Sequence, residues 1–432
     1  MSISETIQCD LAVIGTGMAG MSAALFAANR GVSVVQIGRP KGILLASGLL
    51  DLMGVHPVQE NRSWNDPWAA MDALGRDLPE HPYSRLKKED ILSAFGELLP
   101  FLHDAGIPYC RRVEQNAKMI TSLGTVKTTY CVPKTMWNGV LALENQPKGL
   151  IVDFFGLKDF SAGRIVATLR ERWPELRAVR VFFPGNAGGK ELLAGEITAQ
   201  ILETPESRRK LAQEIKPHIR DARVVGMPSI CGMRNSDEVL SELEKEIGIP
   251  LFEIPTIPPS VPGLRLKEAF EVGLQAIGVR QFLQEQVLTV NRGDNSELIL
   301  HLDTKGRKVV VQSQGVILAS GRFMGGGLYA SRRGIRETLF NLPVFQPGDR
   351  KDWHRKELLD SRGHPANQAG LETDDLFRPL NNEGLPAFEI VFAAGSILAH
   401  QDWMRMKCGS GLAVSTAHAS VNAFSKIKEQ FK

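Results

Sequence analysis

The sequence predicts an α/β protein whose Rossmann-type domain is split in two by an inserted α+β lid domain. Three observations carry that expectation. The first 40 residues hold an apolar run, a glycine-rich turn, an alanine-rich helix and a second apolar run. Further strand-to-glycine turns come only in the last third of the chain, after Gly315. Between them, from about His81 to Pro262, amphipathic helices alternate with short apolar runs.

The elements follow in order. Cys9 to Ile14 reads as a buried strand, Met18 to Arg30 as a helix stopped by Gly31, and Val32 to Ile37 as a second buried strand. One such unit within a few dozen residues makes a parallel sheet. Helices are expected over Lys88–Ala105, Ala162–Trp173, Glu196–Gln213 and Ser236–Ile247, with strands near Leu150–Phe155 and Val179–Phe183. The proline-rich stretch Pro255–Gly263 cannot sit in a helix interior or a central strand, and reads either as a return linker or as a rigid surface loop. Beyond it come a helix (Arg265–Ala276), a meander, the strand Gly315–Ala319 and a last helix, Gly411–Gln430. With 432 residues, the chain exceeds the size at which one core stops growing. The expected division gives residues 1–80 and 264–432 to the split domain and 81–263 to the lid or substrate domain.

Composition narrows the function classes. The 51 basic and 48 acidic side chains leave a formal charge of +3, too little for a nucleic-acid footprint. The five cysteines form no C-x-x-C pair, so neither an iron–sulfur cluster nor a structural zinc site is signalled. No apolar run is long enough to span a bilayer and no signal peptide is evident, so a soluble, cytoplasmic protein is expected.

The strongest motif is Gly15-Thr16-Gly17-Met18-Ala19-Gly20, a G-x-G-x-x-G run placed between a strand and a helix. Gly15 suits the tight turn, Gly17 lets backbone approach a phosphate, and Gly20 lets helix pack on strand, while the helix N-terminus favours the anion. A dinucleotide fingerprint also wants an acid at the end of the second strand, to hold a ribose. Gly38 stands there, followed by Arg39, which could pair with a phosphate. Without that acid, FMN becomes a rival to FAD and NAD.

Two later clusters favour a flavin. Val316–Gly321 is a strand ending in Ser-Gly and resembles a turn that recurs in two-dinucleotide-type flavoproteins. Val391–Ser396 repeats the form through Gly395 and Ser396, and leads by Cys408-Gly409-Ser410-Gly411 into the last helix. In flavoproteins of this type such a helix points its positive end at the flavin. Ser47 and Gly48, after the second strand, are candidates for hydrogen bonds to the ring. Acid–base candidates lie in His81-Pro82-Tyr83-Ser84 and His400-Gln401-Asp402, with no partner readable for either. Lys127, Arg265, Arg322, Arg332 and Arg333 could bind an anion or face a partner, but solvated surface is their default reading.

Several strings together resemble the family of anaerobic glycerol-3-phosphate dehydrogenase B subunits. They are His81-Pro82-Tyr83-Ser84, Leu123-Gly124-Thr125, Pro255 to Val261, Leu318-Ala319-Ser320-Gly321, Gly325 to Leu328 and Gly334-Ile335-Arg336-Glu337, with Ser47 to Leu52. The resemblance implies a flavoprotein of fumarate-reductase-like architecture carrying FMN, with FAD as the alternative. It also implies two partners in the same complex, one an FAD-containing catalytic subunit, the other an iron–sulfur subunit. Electrons would pass to quinone, and membrane contact would be only peripheral, through a partner. The stretch Ala399–Lys407 departs from the family by being bulkier and more basic. Two other readings stay open: a stand-alone FAD-dependent dehydrogenase or reductase acting on a small anionic substrate, and a flavin-free scaffold subunit.

Overall fold

The computed structural model describes residues 4–186, 192–294, 297–304 and 307–430. The chain forms two compact units: residues 1–43, 51–98 and 270–432, and residues 44–50 and 99–269. The division therefore falls at Leu98/Leu99 and Ala269/Phe270 rather than at 80/81 and 263/264, and the short stretch Leu44–Leu50 belongs with the second unit. Both long boundaries lie inside helices, Lys88–Asp104 and Val261–Ala276, which is why no composition shift marks them.

The first unit is built on a seven-stranded sheet. Its order is Arg280–Leu283, Val34–Gly38, Ser4–Ile14, Arg307–Leu318, Leu298–Thr304 and Gln286–Arg292, with Val391–Ala393 also paired to Arg307–Leu318. The strands that carry the glycine turns are parallel, and their register brings Ile14 level with Ile37 and Leu318, and Leu318 level with Ala393. Gly15, Gly38, Ala319 and Ala394 thus leave the sheet side by side at one carboxyl edge, where open α/β sheets place their ligands. The helix Met18–Asn29 is buried from Ala19 through Ala27. A helix apolar on all sides needs cover on all sides, and the last helix, Gly409–Gln430, supplies part of it: Phe26 meets the His418 ring edge-on at 5.2 Å.

The second unit has its own four-stranded sheet, ordered Leu251–Ile254, Val224–Pro228, Gly149–Phe154, Leu176–Val181, all parallel. Its central strands are buried along their whole length, as strands covered on both faces are, hence their apolar runs, broken only by the buried Asp153. Two short antiparallel pairs lie in the same unit, Tyr109–Arg111 with Cys131–Pro133 and Ala117–Ile120 with Val126–Thr129.

Two expected elements change. The single helix over Glu196–Gln213 is two, Gly195–Ile201 and Pro205–Ile219. Thr204 caps the second by accepting from Ser207 N, and Pro205 takes its first position. The helix after the proline stretch begins at Val261, so Pro262 sits in its first turn, where a missing N–H does no harm. No helix among the described residues is long and apolar enough to cross a membrane.

Candidate flavin site

The glycine loop is held open by backbone geometry. Gly15 has φ +134°, and a Cβ there would sit 2.1 Å from Ala319 O. Gly20 is equally tight, its Cβ position lying 2.1 Å from Gly15 O, so the loop can close only with glycine at both places. Gly17 differs. Its φ of −84° suits any residue, and a Cβ there would meet nothing within 4 Å. Open space over Gly17 is where a ligand phosphate would come.

Helix Met18–Asn29 starts beside that space with Gly17 as its cap, no side-chain capping bond and no acid in its first turn. Its first amides, Met18 and Ala19 among them, are left without a capping side chain at the positive end of the helix. Thr16 is 2% exposed, and its hydroxyl has no partner among the described residues. The Ser320 hydroxyl, on the neighbouring turn, is likewise buried and unpartnered. Two orphaned hydroxyls and an uncapped helix at one sheet edge fit a cofactor's phosphate and hydroxyl groups. Ser320 is the residue that motif reading passed over in favour of Gly321, although the Ser-Gly pair stands in the sequence.

Gly38 explains its own identity. A Cβ there would lie 3.1–3.2 Å from the side chain and backbone N of Thr16. Any side chain there would press on Thr16, which would have to give by a few tenths of an ångström, so close packing favours glycine at this position. Arg39, exposed, donates through Nε to Gln284 O at 3.2 Å and so lies along the adjoining strand end.

The turn Ser320–Gly327 is organised by Arg322. The Arg322 carbonyl accepts from Gly326 N and Gly327 N at 2.9 and 3.1 Å. Its guanidinium donates to the backbone oxygens of Ser396 and Gln401 at 2.8 and 2.7 Å, and to Asn367 O. Burial among carbonyls lowers its pKa to about 10, opposed by the charge of Asp402. Arg322 is therefore no surface arginine; it ties the Gly321 turn to the Gly395–Ile397 turn. Gly321 has φ +68°, and the Cβ position there lies 3.5 Å from Ser396 Oγ.

The glycines nearest the last helix serve packing. A Cβ on Gly395 would lie 2.6 Å from Ala19 Cβ, and Gly395 N donates to Thr416 Oγ1 at 2.9 Å. Gly409 is covered by the Trp403 ring, at 2.7 Å from its Cβ position. Gly411 N donates to Asp51 O at 2.6 Å, and the Tyr83 hydroxyl lies 2.5 Å from its Cβ position. The helix amide expected to face a ligand at Gly411 is thus occupied by the chain's own carbonyl. Trp403, in the bulky stretch before the helix, explains why Gly409 is needed.

Ser47 and Gly48 belong to the second unit. Gly48 has φ +82°, its carbonyl accepts from the Tyr109 hydroxyl at 2.7 Å, and Pro262 lies 2.7 Å from its Cβ position. Arg265, in the same unit, is 4% exposed and forms a two-point pair with Glu253 at 2.7 and 2.9 Å. It is a core residue and offers nothing to a substrate. Arg332 and Arg333 are exposed.

A family model described as an FAD binding domain matches residues 10–412. The B subunit of anaerobic glycerol-3-phosphate dehydrogenase from Vibrio vulnificus (strain CMCP6) is 30% identical over 431 residues, covering 97% of each chain. The protein of the same name from Yersinia pseudotuberculosis serotype I (strain IP32953) is 28% identical over 419 residues, covering 94% of this chain and 96% of its own. Among solved structures, 3-ketosteroid Δ1-dehydrogenase from Sterolibacterium denitrificans is 11% identical, with a TM-score of 0.45 over 97% of this chain and 100% of that one. That likeness is too distant to bear on the site. The family model speaks for a flavin, and for FAD where the absent acid at Gly38 had suggested FMN.

Proposed function

The chain belongs to the FAD binding domain family and, within it, to the anaerobic glycerol-3-phosphate dehydrogenase B subunits, and on that premise we propose that it is the flavin subunit of a quinone-linked glycerol-3-phosphate dehydrogenase. It would hold FAD, take part in oxidising glycerol 3-phosphate to dihydroxyacetone phosphate, and pass electrons toward an iron–sulfur partner. The partners we assign are that iron–sulfur protein and a separate FAD-containing catalytic chain. The chain would lie on the cytoplasmic side, touching the membrane only through them. The observation that carries this reading is the similarity to a B subunit over 97% of both chains.

The residues at the carboxyl edge of the sheet support it. Gly15, Gly17 and Gly20 shape a phosphate cradle in which Thr16 Oγ1 and the Met18 and Ala19 amides can donate. Ser320 Oγ offers a further hydroxyl from the next strand, and Arg322 fixes the Gly321 turn against Ser396. Among the described residues, the two terminal nitrogens of Arg39 are left for solvent or a phosphate. Bound flavin supplies the chemistry that these side chains lack, accepting an electron pair and releasing electrons singly. FAD replaces FMN in this proposal because the matching family model is that of an FAD binding domain.

The test is to release the cofactor from purified protein with acid and identify it by chromatography and mass. FAD is expected, together with bleaching of the bound flavin when glycerol 3-phosphate is added to the assembled complex. Protein that stays colourless after reconstitution with FAD would overturn the flavin assignment and leave a scaffold.

A further inference from the structure

The hairpin that follows the Ser320–Gly327 turn carries charge that the chain itself leaves unanswered. Its strands, Leu328–Ser331 and Gly334–Glu337, pair Leu328 with Glu337, Tyr329 with Arg336 and Ala330 with Ile335. Alternation divides the side chains between two faces. Leu328, Ile335 and Glu337 are buried on one, while Tyr329 and Arg336 stand exposed on the other. The Arg336 guanidinium lies over the Tyr329 ring, 5.2 Å from its centre. Arg332 and Arg333 form the tip, and both are exposed. The one acid of the hairpin is turned inward, where Glu337 accepts from Leu339 N and Phe340 N at 2.8 and 2.7 Å. Among the described residues no carboxylate pairs with Arg332, Arg333 or Arg336.

The chain's own bonds hold the hairpin in this shape. Ser331 Oγ accepts from Arg333 N and donates to Gly334 O, both at 3.1 Å, which fixes the tip. The Gln346 amide grips Ile335, accepting from its N at 2.6 Å and donating to its O at 2.8 Å. Arg350 donates to Ser331 O at 3.4 Å and adds a fourth cation, while its neighbour Asp349 is taken by Lys351 at 3.1 Å. Guanidiniums gathered on a braced turn repel one another, and a negative surface from outside relieves that repulsion. Composition says what kind of surface. From Phe323 to Thr338 there is no lysine, and Phe323, Met324 and Tyr329 are 44%, 64% and 54% exposed. Protein interfaces favour arginine, tyrosine, phenylalanine and methionine and are poor in lysine, whereas an anionic bilayer is served by lysine as well. A planar guanidinium stacked on tyrosine is also preorganised to take a carboxylate at two points.

We propose that this hairpin docks an acidic face of a partner protein. It lies beside the turn assigned to the flavin: a Cβ on Gly327, just before it, would sit 2.1 Å from Gly321 O and 2.4 Å from Ser320 Oγ. Four strand residues carry the arginine tip only about 13 Å further. A protein docked there is held close to the proposed flavin turn, as an electron acceptor has to be. The assignment deepens the flavin-subunit reading, and rests on it only for the identity of the partner, the iron–sulfur protein.

The test puts the photo-reactive p-benzoylphenylalanine in place of Tyr329 in the full chain, expressed together with its proposed partner chains. Irradiation, purification and mass spectrometry should reveal a cross-link to an acidic segment of the iron–sulfur protein. R332E/R333E should cut its yield at least about tenfold, and R332K/R333K should keep most of it. Folding and flavin content of both variants should match the parent, because the replaced side chains are exposed. With purified iron–sulfur protein, the parent's affinity should fall steeply between about 0.05 and 0.5 M salt, and that of R332E/R333E much less. A cross-link to a different acidic protein, equally sensitive to charge reversal, would support the surface and overturn the partner assignment. Iron–sulfur protein that co-purifies without a cross-link, and binds R332E/R333E as tightly as the parent, would sink the surface and leave the subunit assignment standing. Cross-links to lipid alone, with binding to phosphatidylserine vesicles lost in R332E/R333E, would replace the protein partner by a membrane.

Discussion

Two groups of buried polar atoms, one in each unit, are handled in opposite ways. In the second, Glu253 is fully buried and every oxygen is answered: Arg265 meets both, Thr135 donates to Oε2 at 2.6 Å and Cys231 N to Oε1 at 2.7 Å. Arg265 spends its remaining Nε on Gly232 O at 2.8 Å. Burial alone would raise the Glu253 pKa, but these partners outweigh it and hold the carboxyl below its ordinary range. In the first unit, Thr16, His56, His81 and Ser320 keep buried polar atoms with no partner among the described residues. A closed network is a structural device, whereas the open hydroxyls of Thr16 and Ser320 stand where the sheet edge is proposed to receive a ligand.

The strongest way to break that contrast is Arg265→Met. It strands a charged Glu253 in the core and should lower stability by about 3–5 kcal/mol, read as a fall in the denaturant midpoint at unchanged slope. Adding Glu253→Leu should recover much of the loss, since removing both charges is milder than removing one. A loss below about 1 kcal/mol for the single variant would mean that the network does not hold the second unit together.

Next in size is Gly15→Ala. The positive φ and the contact with Ala319 O should cost about 2–4 kcal/mol, although the loop is proposed to serve a ligand. Near-native stability would show that the loop relaxes, and that its glycine is there for the cofactor alone.

How far these features were legible depends on how local they are. The first strand, loop, helix and second strand lie within 40 residues, and each is announced by its own side chains: apolar runs, Gly31 after the helix, glycines between. Of the second-unit strands, Gly149–Phe154 was legible because a strand covered on both faces is mostly apolar, whereas Leu176–Val181 alternates in burial and begins three residues before the expected Val179, and Val224–Pro228 and Leu251–Ile254 were not expected. What failed to show needed a partner from elsewhere in the chain. Arg265 looks like any arginine until Glu253 is placed against it by the sheet. Arg322 looks solvated until the Ser396–Gln401 backbone wraps it. Gly411 looks like a ligand contact until Asp51 O takes its amide. His81 stood in the sequence as a histidine, but only the contact from Tyr83 N shows which of its ring nitrogens accepts.

A smaller effect separates the two units by pH. Unfolded His81 takes up a proton near its ordinary value of 6.5, while folded His81 stays neutral until about pH 3. The unfolded state therefore binds more protons in that window, and acidification from 6.5 toward 3 removes stability. Between pH 7 and 5.5 this residue should account for roughly 1.3 kcal/mol of the loss. His81→Gln should flatten the stability–pH curve by that amount relative to the parent, which also cancels the contributions of Glu253 and Glu97, both held low. An unchanged curve would mean that His81 is already solvated in the folded chain.

The smallest expected effect on stability is the most informative about the ligand. Gly17→Ala adds a methyl group where backbone φ is −84° and no atom stands within 4 Å, so stability should change by less than about 0.5 kcal/mol. The same methyl would stand between the loop and a phosphate, so FAD affinity, followed by flavin fluorescence, should fall by about tenfold or more. Gly15→Ala and Gly17→Ala sit two residues apart in one motif and are predicted to fail differently, one in folding and one in binding. If Gly17→Ala bound FAD normally, the open space over the loop would have to be explained without a phosphate, and the unpartnered Thr16 hydroxyl with it.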